Sequence, residues 1–181
     1  MGAEAAQLLG AMCRLGLAAI FAQSAWHALR DRARHEAAVA GYKLLPPSVH
    51  GVAAVALPLL NASVSVLLPW PATAHPGSAL GMALMALFTT AIAINLWRGR
   101  TSIDCGCGGA EAKHISRGLV CRNIVLLVLL AASLMTPASG AADPIAPLAE
   151  LGGAAGIVAL YFASTQLLAN DAAMRAEAAQ A

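Results

Sequence analysis

Residues 78–97 run for 20 positions without one ionisable side chain. About 20 apolar residues are what a helix needs to cross the hydrocarbon core of a bilayer, and far more than the single face a soluble helix buries. Four further segments share this character, at about residues 5–29, 49–68, 119–135 and 148–169. Without water, each backbone N–H and C=O must find its partner inside its own segment, so these runs predict helices. The fold class expected is therefore all-α: a polytopic membrane bundle of four to five transmembrane helices, five being the better count, forming one domain over residues 1–181. Pro58 inside the second segment is tolerated as a kink where neighbours satisfy the freed carbonyl. In the fifth, Gly152 and Gly156 form a GxxxG face suited to close helix packing.

Composition excludes the soluble alternatives. Charged residues are only 11% of the chain and hydrophobic ones 59%, too few charges to cover a soluble domain, which carries roughly 25%. A net charge of +2 and an aromatic content of 4% leave neither an electrostatic footprint nor stacking platforms for nucleic acid. The lipid bilayer is the partner this composition implies.

Basic residues then orient the helices. The first connection holds Arg30, Arg32, Arg34 and Lys43, and the third holds Arg98, Arg100, Lys113 and Arg117, while the second and fourth hold no Lys or Arg. The positive-inside rule places the first and third loops in the cytoplasm, the N-terminus outside and the C-terminus, with Arg175, inside a cell (inner) membrane. A cleavable leader competes for the first segment, since Ala22-Gln23-Ser24-Ala25 resembles a cleavage site; the basic loop that follows argues for retention. Gly41 to Pro47 reads as an amphipathic stretch at the interface, and His35 and His75 as solvated loop residues. His27 and His50 read as polar groups at membrane boundaries.

Candidate chemistry sits in the third loop. Asp104-Cys105-Gly106-Cys107-Gly108-Gly109 puts two thiols one glycine apart, and a disulfide across so short a span is strained and readily reduced, suited to exchange. Lys113, His114 and Arg117 nearby favour the thiolate. The plain alternative is two idle reduced cysteines in a Gly-rich turn. Cys105, Cys107, His114 and Cys121 could instead gather around a soft metal ion, though the spacing fits none of the usual zinc patterns. No haem or phosphate-loop motif is present, and no cofactor is evident; a quinone or a soft metal has no support in the sequence. Arg14, alone in an apolar run, either snorkels or pairs with a polar group such as Asn61. Arg122 and Asn123 at the start of the fourth segment could anchor it or hydrogen-bond to the cysteine loop.

The order Phe21-Ala22-Gln23-Ser24, Ala40 to Pro47, Asn95-Leu96-Trp97-Arg98-Gly99-Arg100, Asp104-Cys105-Gly106-Cys107 and Arg122-Asn123 resembles the MauE family, methylamine-utilisation membrane proteins related to DoxX-like proteins. The resemblance covers almost the whole chain. Gly108 stands where the family motif carries an aromatic residue, His27 lies near a frequent lysine, Asn61 near a frequent glutamate, and Cys121 is an addition. What the resemblance implies is a role in maturing the disulfide-rich small subunit of methylamine dehydrogenase beside a thioredoxin-like periplasmic partner. The expected function is a membrane thiol-disulfide relay, whose enzymatic form would be a thiol-disulfide oxidoreductase, with Cys105 and Cys107 exchanging and Cys121 or Cys13 resolving the mixed disulfide. The alternatives are a carrier of soft metal or a small solute, and a non-catalytic assembly factor. The relay reading contains a conflict: charge places the cysteine loop in the cytoplasm, whereas the expected disulfide-containing client lies outside.

Overall fold

Apolar length decides where this chain forms its long helices. The computed structural model describes residues 2–100, 115–136 and 146–178, and within them all regular structure is helical. The elements are α1 (Gly2–Arg30), α2 (Arg32–Gly41), a 3-10 turn (Pro47–Val49), α3 (His50–Leu67), α4 (Ala74–Trp97), α5 (Arg117–Met135) and α6 (Ala146–Ala178). Five of them (α1, α3, α4, α5 and α6) are long and apolar enough to cross a membrane. The chain is a multi-pass membrane protein, with the five spans where the apolar runs lie. Trp26 and Trp97, near the ends of α1 and α4, and Trp70, after α3, are all exposed, as suits indole rings anchored at the two interfaces.

The boundaries differ in instructive ways. Helix α4 begins at Ala74, a turn before the expected Ser78. Pro76 falls in the first turn, where the helix needs no N–H from it, so His75-Pro76-Gly77 continues the helix and does not break it. Helix α2 was not expected, since Arg32 to Gly41 reads as a basic loop; Asp31 caps it by accepting from the Arg34 N–H at 3.1 Å. As a result His35 is not a solvated loop residue: it is half-buried on α2. The supposed interfacial stretch is likewise divided. Gly41 ends α2, Tyr42 turns inward, and Lys43 to Pro46 are exposed, with Lys43 in the left-handed region at φ 49°.

Helix α1 is the hub, packed against α6, α3 and α5, while α4 packs against α5 and α3. Leu17 and Phe21 of α1, Val64 and Leu68 at the end of α3, Leu84 of α4 and Leu130 of α5 form the main core. The four elements converge at Gly81. A Cβ there would lie 3.0 Å from Leu130 Cδ2, 3.2 Å from Val64 Cγ1 and 3.5 Å from Phe21 Cζ, so a hydrogen is what the junction accommodates. One polar bond supplements this packing: Ser78 and Ser133, both buried, share a hydrogen bond of 3.0 Å between α4 and α5. Close approach of α6 uses a different glycine from the one expected. Gly152 and Gly156 face open space, and Gly153, about 100° further round, meets Met12 of α1.

Candidate functional site

The segment carrying Cys105 and Cys107 lies outside the described residues, as does His114, but both of its roots are defined. The first root is the end of α4. Gly99 adopts φ +69°, its N–H bonds the Leu96 carbonyl at 3.0 Å, and the Arg100 N–H reaches the Asn95 carbonyl at 3.0 Å. This is a Schellman ending, which needs a residue free to enter the left-handed region. It aims Arg100 back across the bundle. The guanidinium donates to Asn95 Oδ1 at 2.9 Å, the Gly41 carbonyl at 2.9 Å and the Tyr42 carbonyl at 3.3 Å. The positive charge thus closes the carbonyl-rich end of α2, where the helix dipole favours a cation. The second root is Ile115, buried with Ile92 and Leu119 in a small cluster against which Tyr42 packs. Ser116 then caps α5, accepting from the Leu119 N–H at 3.4 Å. Tyr42 is therefore common to both roots.

Beside this anchor lies a buried polar group of α5 and α6. Arg122 turns toward α6, donating to Thr165 Oγ1 at 3.0 Å and to Asn123 Oδ1 at 3.3 Å, with its guanidinium carbon 4.8 Å from the Tyr161 ring centroid. Asn123 is 3% exposed. Arg122, Asn123 and Tyr161 line a cavity of about 380 Å³ whose lining also includes Tyr42, His35 and Asn61. Its volume falls in the roughly 300–1,000 Å³ range of small-molecule sites.

The remaining candidates separate. Cys121 is exposed on the first turns of α5, six positions beyond Ile115, and so stands beside the second root. Cys13 is half-buried on α1, one turn from Gly10, which packs against Thr136 at the other end of α5. The rise along α5 then puts Cys13 and Cys121 about 20 Å apart, far beyond disulfide reach. Nor does Arg14 pair with Asn61. Arg14 is 4% exposed and donates to Thr136 Oγ1 at 3.4 Å, with Glu150 of α6 within electrostatic reach; Asn61 donates to the Leu57 carbonyl at 3.0 Å. His50 Nε2 lies 3.0 Å from the Leu45 carbonyl, and His27 Nε2 lies 3.5 Å from Gln23 Nε2. Sequence reasoning missed Arg100 and Tyr42 as structural residues. Asn61, Asn95 and Asn123 were visible as amides interrupting apolar runs, the signal that could have marked the buried polar groups.

The fold and the site define a class: a helical membrane protein with five apolar spans, a clamped junction of α2 and α4 beside the start of α5, and a polar-ended cavity next to it. The chain belongs to the MauE family, whose sequence model, described as methylamine utilisation protein MauE, matches residues 6–136. It is similar to the methylamine utilization protein MauE of Paracoccus denitrificans, at 36% identity over 86% of this chain and 84% of that protein. The MauE protein of Methylorubrum extorquens is 36% identical over 87% of this chain and 85% of its own length, and that of Paracoccus versutus 36% identical over 83% and 82%. No solved structure matches the chain.

Proposed function

We propose that the chain acts in methylamine utilisation as a membrane thiol-disulfide relay, exchanging electrons with a thioredoxin-like protein to mature a disulfide-containing, methylamine dehydrogenase-like client. Cys105 and Cys107 are the exchanging pair: a thiolate of the reduced partner attacks their disulfide, and the partner's second thiol releases the mixed disulfide, leaving the partner oxidised and the pair as a dithiol. Cys121 is the candidate third thiol. The observation that carries this reading is the double anchoring of the loop. Arg100 and Ile115, the described residues on either side of the pair, are both held against Tyr42, and Cys121 follows Ile115 by six positions on α5. A structural turn would not need a three-acceptor clamp at its base. Cys13, at the far end, has no part in the exchange.

The test is a Cys105→Ser, Cys107→Ser double variant, read out as active client per cell, with a thioredoxin-like partner lacking its second cysteine probed for a trapped mixed disulfide with Cys105 or Cys107. Loss of client activity together with a trapped adduct supports the relay. Full client activity in the double variant refutes it. Thiol labelling from either side of the membrane settles the orientation, for which basic-residue asymmetry favours a cytoplasmic loop.

A further inference from the structure

We propose that the cavity lined by α1 to α5 and by Tyr161 of α6 is a binding site for the head group of an isoprenoid quinone. Three independent features of its lining point to that chemistry. First, it holds two polar groups with unused valence. Asn61, 5% exposed, spends its Nδ2 on the Leu57 carbonyl, and among the described residues nothing donates to its Oδ1. Asn123 accepts from Arg122 through Oδ1, which leaves Nδ2 as a donor with no partner among the described residues. Buried amides in an apolar wall are costly unless something completes them. One acceptor and one donor suit a molecule that alternates between a ring carbonyl, which accepts, and a ring hydroxyl, which also donates.

Second, four of the five phenylalanine and tyrosine side chains of the chain line this one cavity: Phe21, Tyr42, Phe88 and Tyr161. Ring faces and edges gathered around one space favour a planar occupant. Arg122, held over Tyr161, adds a fixed positive charge next to Asn123, suited to the partial negative charge that a quinone oxygen gains on reduction. Third, every exposed residue of the lining is apolar: Leu44, Leu45, Ala56 and Leu87. An occupant therefore arrives from hydrocarbon and can leave a tail there. A water-borne metabolite or a metal ion would want a polar approach.

The proposal deepens the relay reading and supplies its terminal electron acceptor. Two S–H bonds of the relay's dithiol break, one S–S bond forms, and two electrons and two protons pass to the quinone, which leaves as quinol. Binding itself does not need the cysteines, and the test uses this separation. Full-length protein in lipid nanodiscs is titrated with decylubiquinone, with decanol as the control for a merely greasy cleft. The wild type and the Cys105→Ser, Cys107→Ser variant are expected to bind the quinone alike. Ala91→Phe, which fills the cavity without touching the amides, and Asn123→Leu are each expected to weaken binding about tenfold or more, the loss of one buried hydrogen bond or of the space itself. Decanol binding as tightly as decylubiquinone, or Ala91→Phe binding as well as wild type, overturns the site and leaves the relay standing. Quinone bound normally by a cysteine double variant that still matures its client overturns the relay and leaves the site.

Discussion

Replacing Arg100 should loosen the protein by an amount that the geometry allows to be worked out. Its guanidinium serves three acceptors, and these are not equal. The Gly41 and Tyr42 carbonyls are half-buried at the end of α2, so water can replace the guanidinium there at about 0.5 kcal/mol each. Asn95 is 0% exposed, and water cannot reach its Oδ1. Stranding that oxygen costs about 2 kcal/mol, within the range for a buried acceptor left unmade. Arg100→Ala should therefore cost about 3 kcal/mol, whereas Arg98→Ala, at an exposed position one turn residue away, should stay within about 0.5 kcal/mol. Asn95→Ala removes the stranded oxygen itself, so the double variant should be more stable than additivity predicts, with a coupling of about 2 kcal/mol. The assay is reversible unfolding in mixed micelles followed by far-ultraviolet circular dichroism, run as a complete double-mutant cycle. A coupling below about 0.5 kcal/mol, or an Arg100→Ala variant as mild as Arg98→Ala, would refute the clamp.

Four other outcomes follow from single contacts. Gly99→Ala should cost about 1 kcal/mol purely from its left-handed backbone, because a Cβ there meets nothing within 4 Å; the same unfolding assay reads it, and a neutral result contradicts the Schellman ending. Gly153→Ile should destabilise by about 1–3 kcal/mol through its clash with Met12, while Gly152→Ile should be near neutral; reversal of that order would mean α6 is rotated from its described position. Ser78→Ala should cost about 0.6 kcal/mol, with no further loss when Ser133→Ala is added, as bonds between membrane helices usually do. In detergent, a small maleimide should modify exposed Cys121 well before half-buried Cys13, and faster reaction at Cys13 would contradict the placement of α5.

What could be read from the residues, and what could not, divides along physical lines. The five spans were legible because hydrocarbon is an unforgiving solvent: twenty positions without an ionisable group leave no other structure. The start of α4 was not, since Pro76 looks like a stop signal unless it is known to occupy the first turn. Helix α2 was hidden because its ten residues carry a helix signal no stronger than their charge pattern, and only Asp31 marked a cap. The choice between Gly152 and Gly153 depends on how α6 is rotated about its axis, which a small-residue spacing cannot fix. Arg100 looked like one of several basic residues that set orientation. That it reaches across to the end of α2 is a matter of tertiary placement, and nothing local to Arg98-Gly99-Arg100 announces it. The buried amides were visible as polar breaks in apolar runs, but that Asn61 and Asn123 line one cavity while Asn95 holds Arg100 required the packing of the helices.

The double anchoring of the loop also sets a limit of reach. Cys105 follows Arg100 by five residues and Cys107 by seven. An extended chain advances at most about 3.6 Å per residue, so neither sulfur can stray more than about 18–25 Å from the arginine that ties α4 to α2. A protein that reacts with this pair must therefore come to the membrane surface, and its own cysteines must stand near its outer contour. A partner whose thiols lie at the bottom of a deep groove would be stopped by the headgroups before the sulfurs met. On the proposed relay reading, the fourteen residues between Arg100 and Ile115 set a selection rule on the shape of the partner.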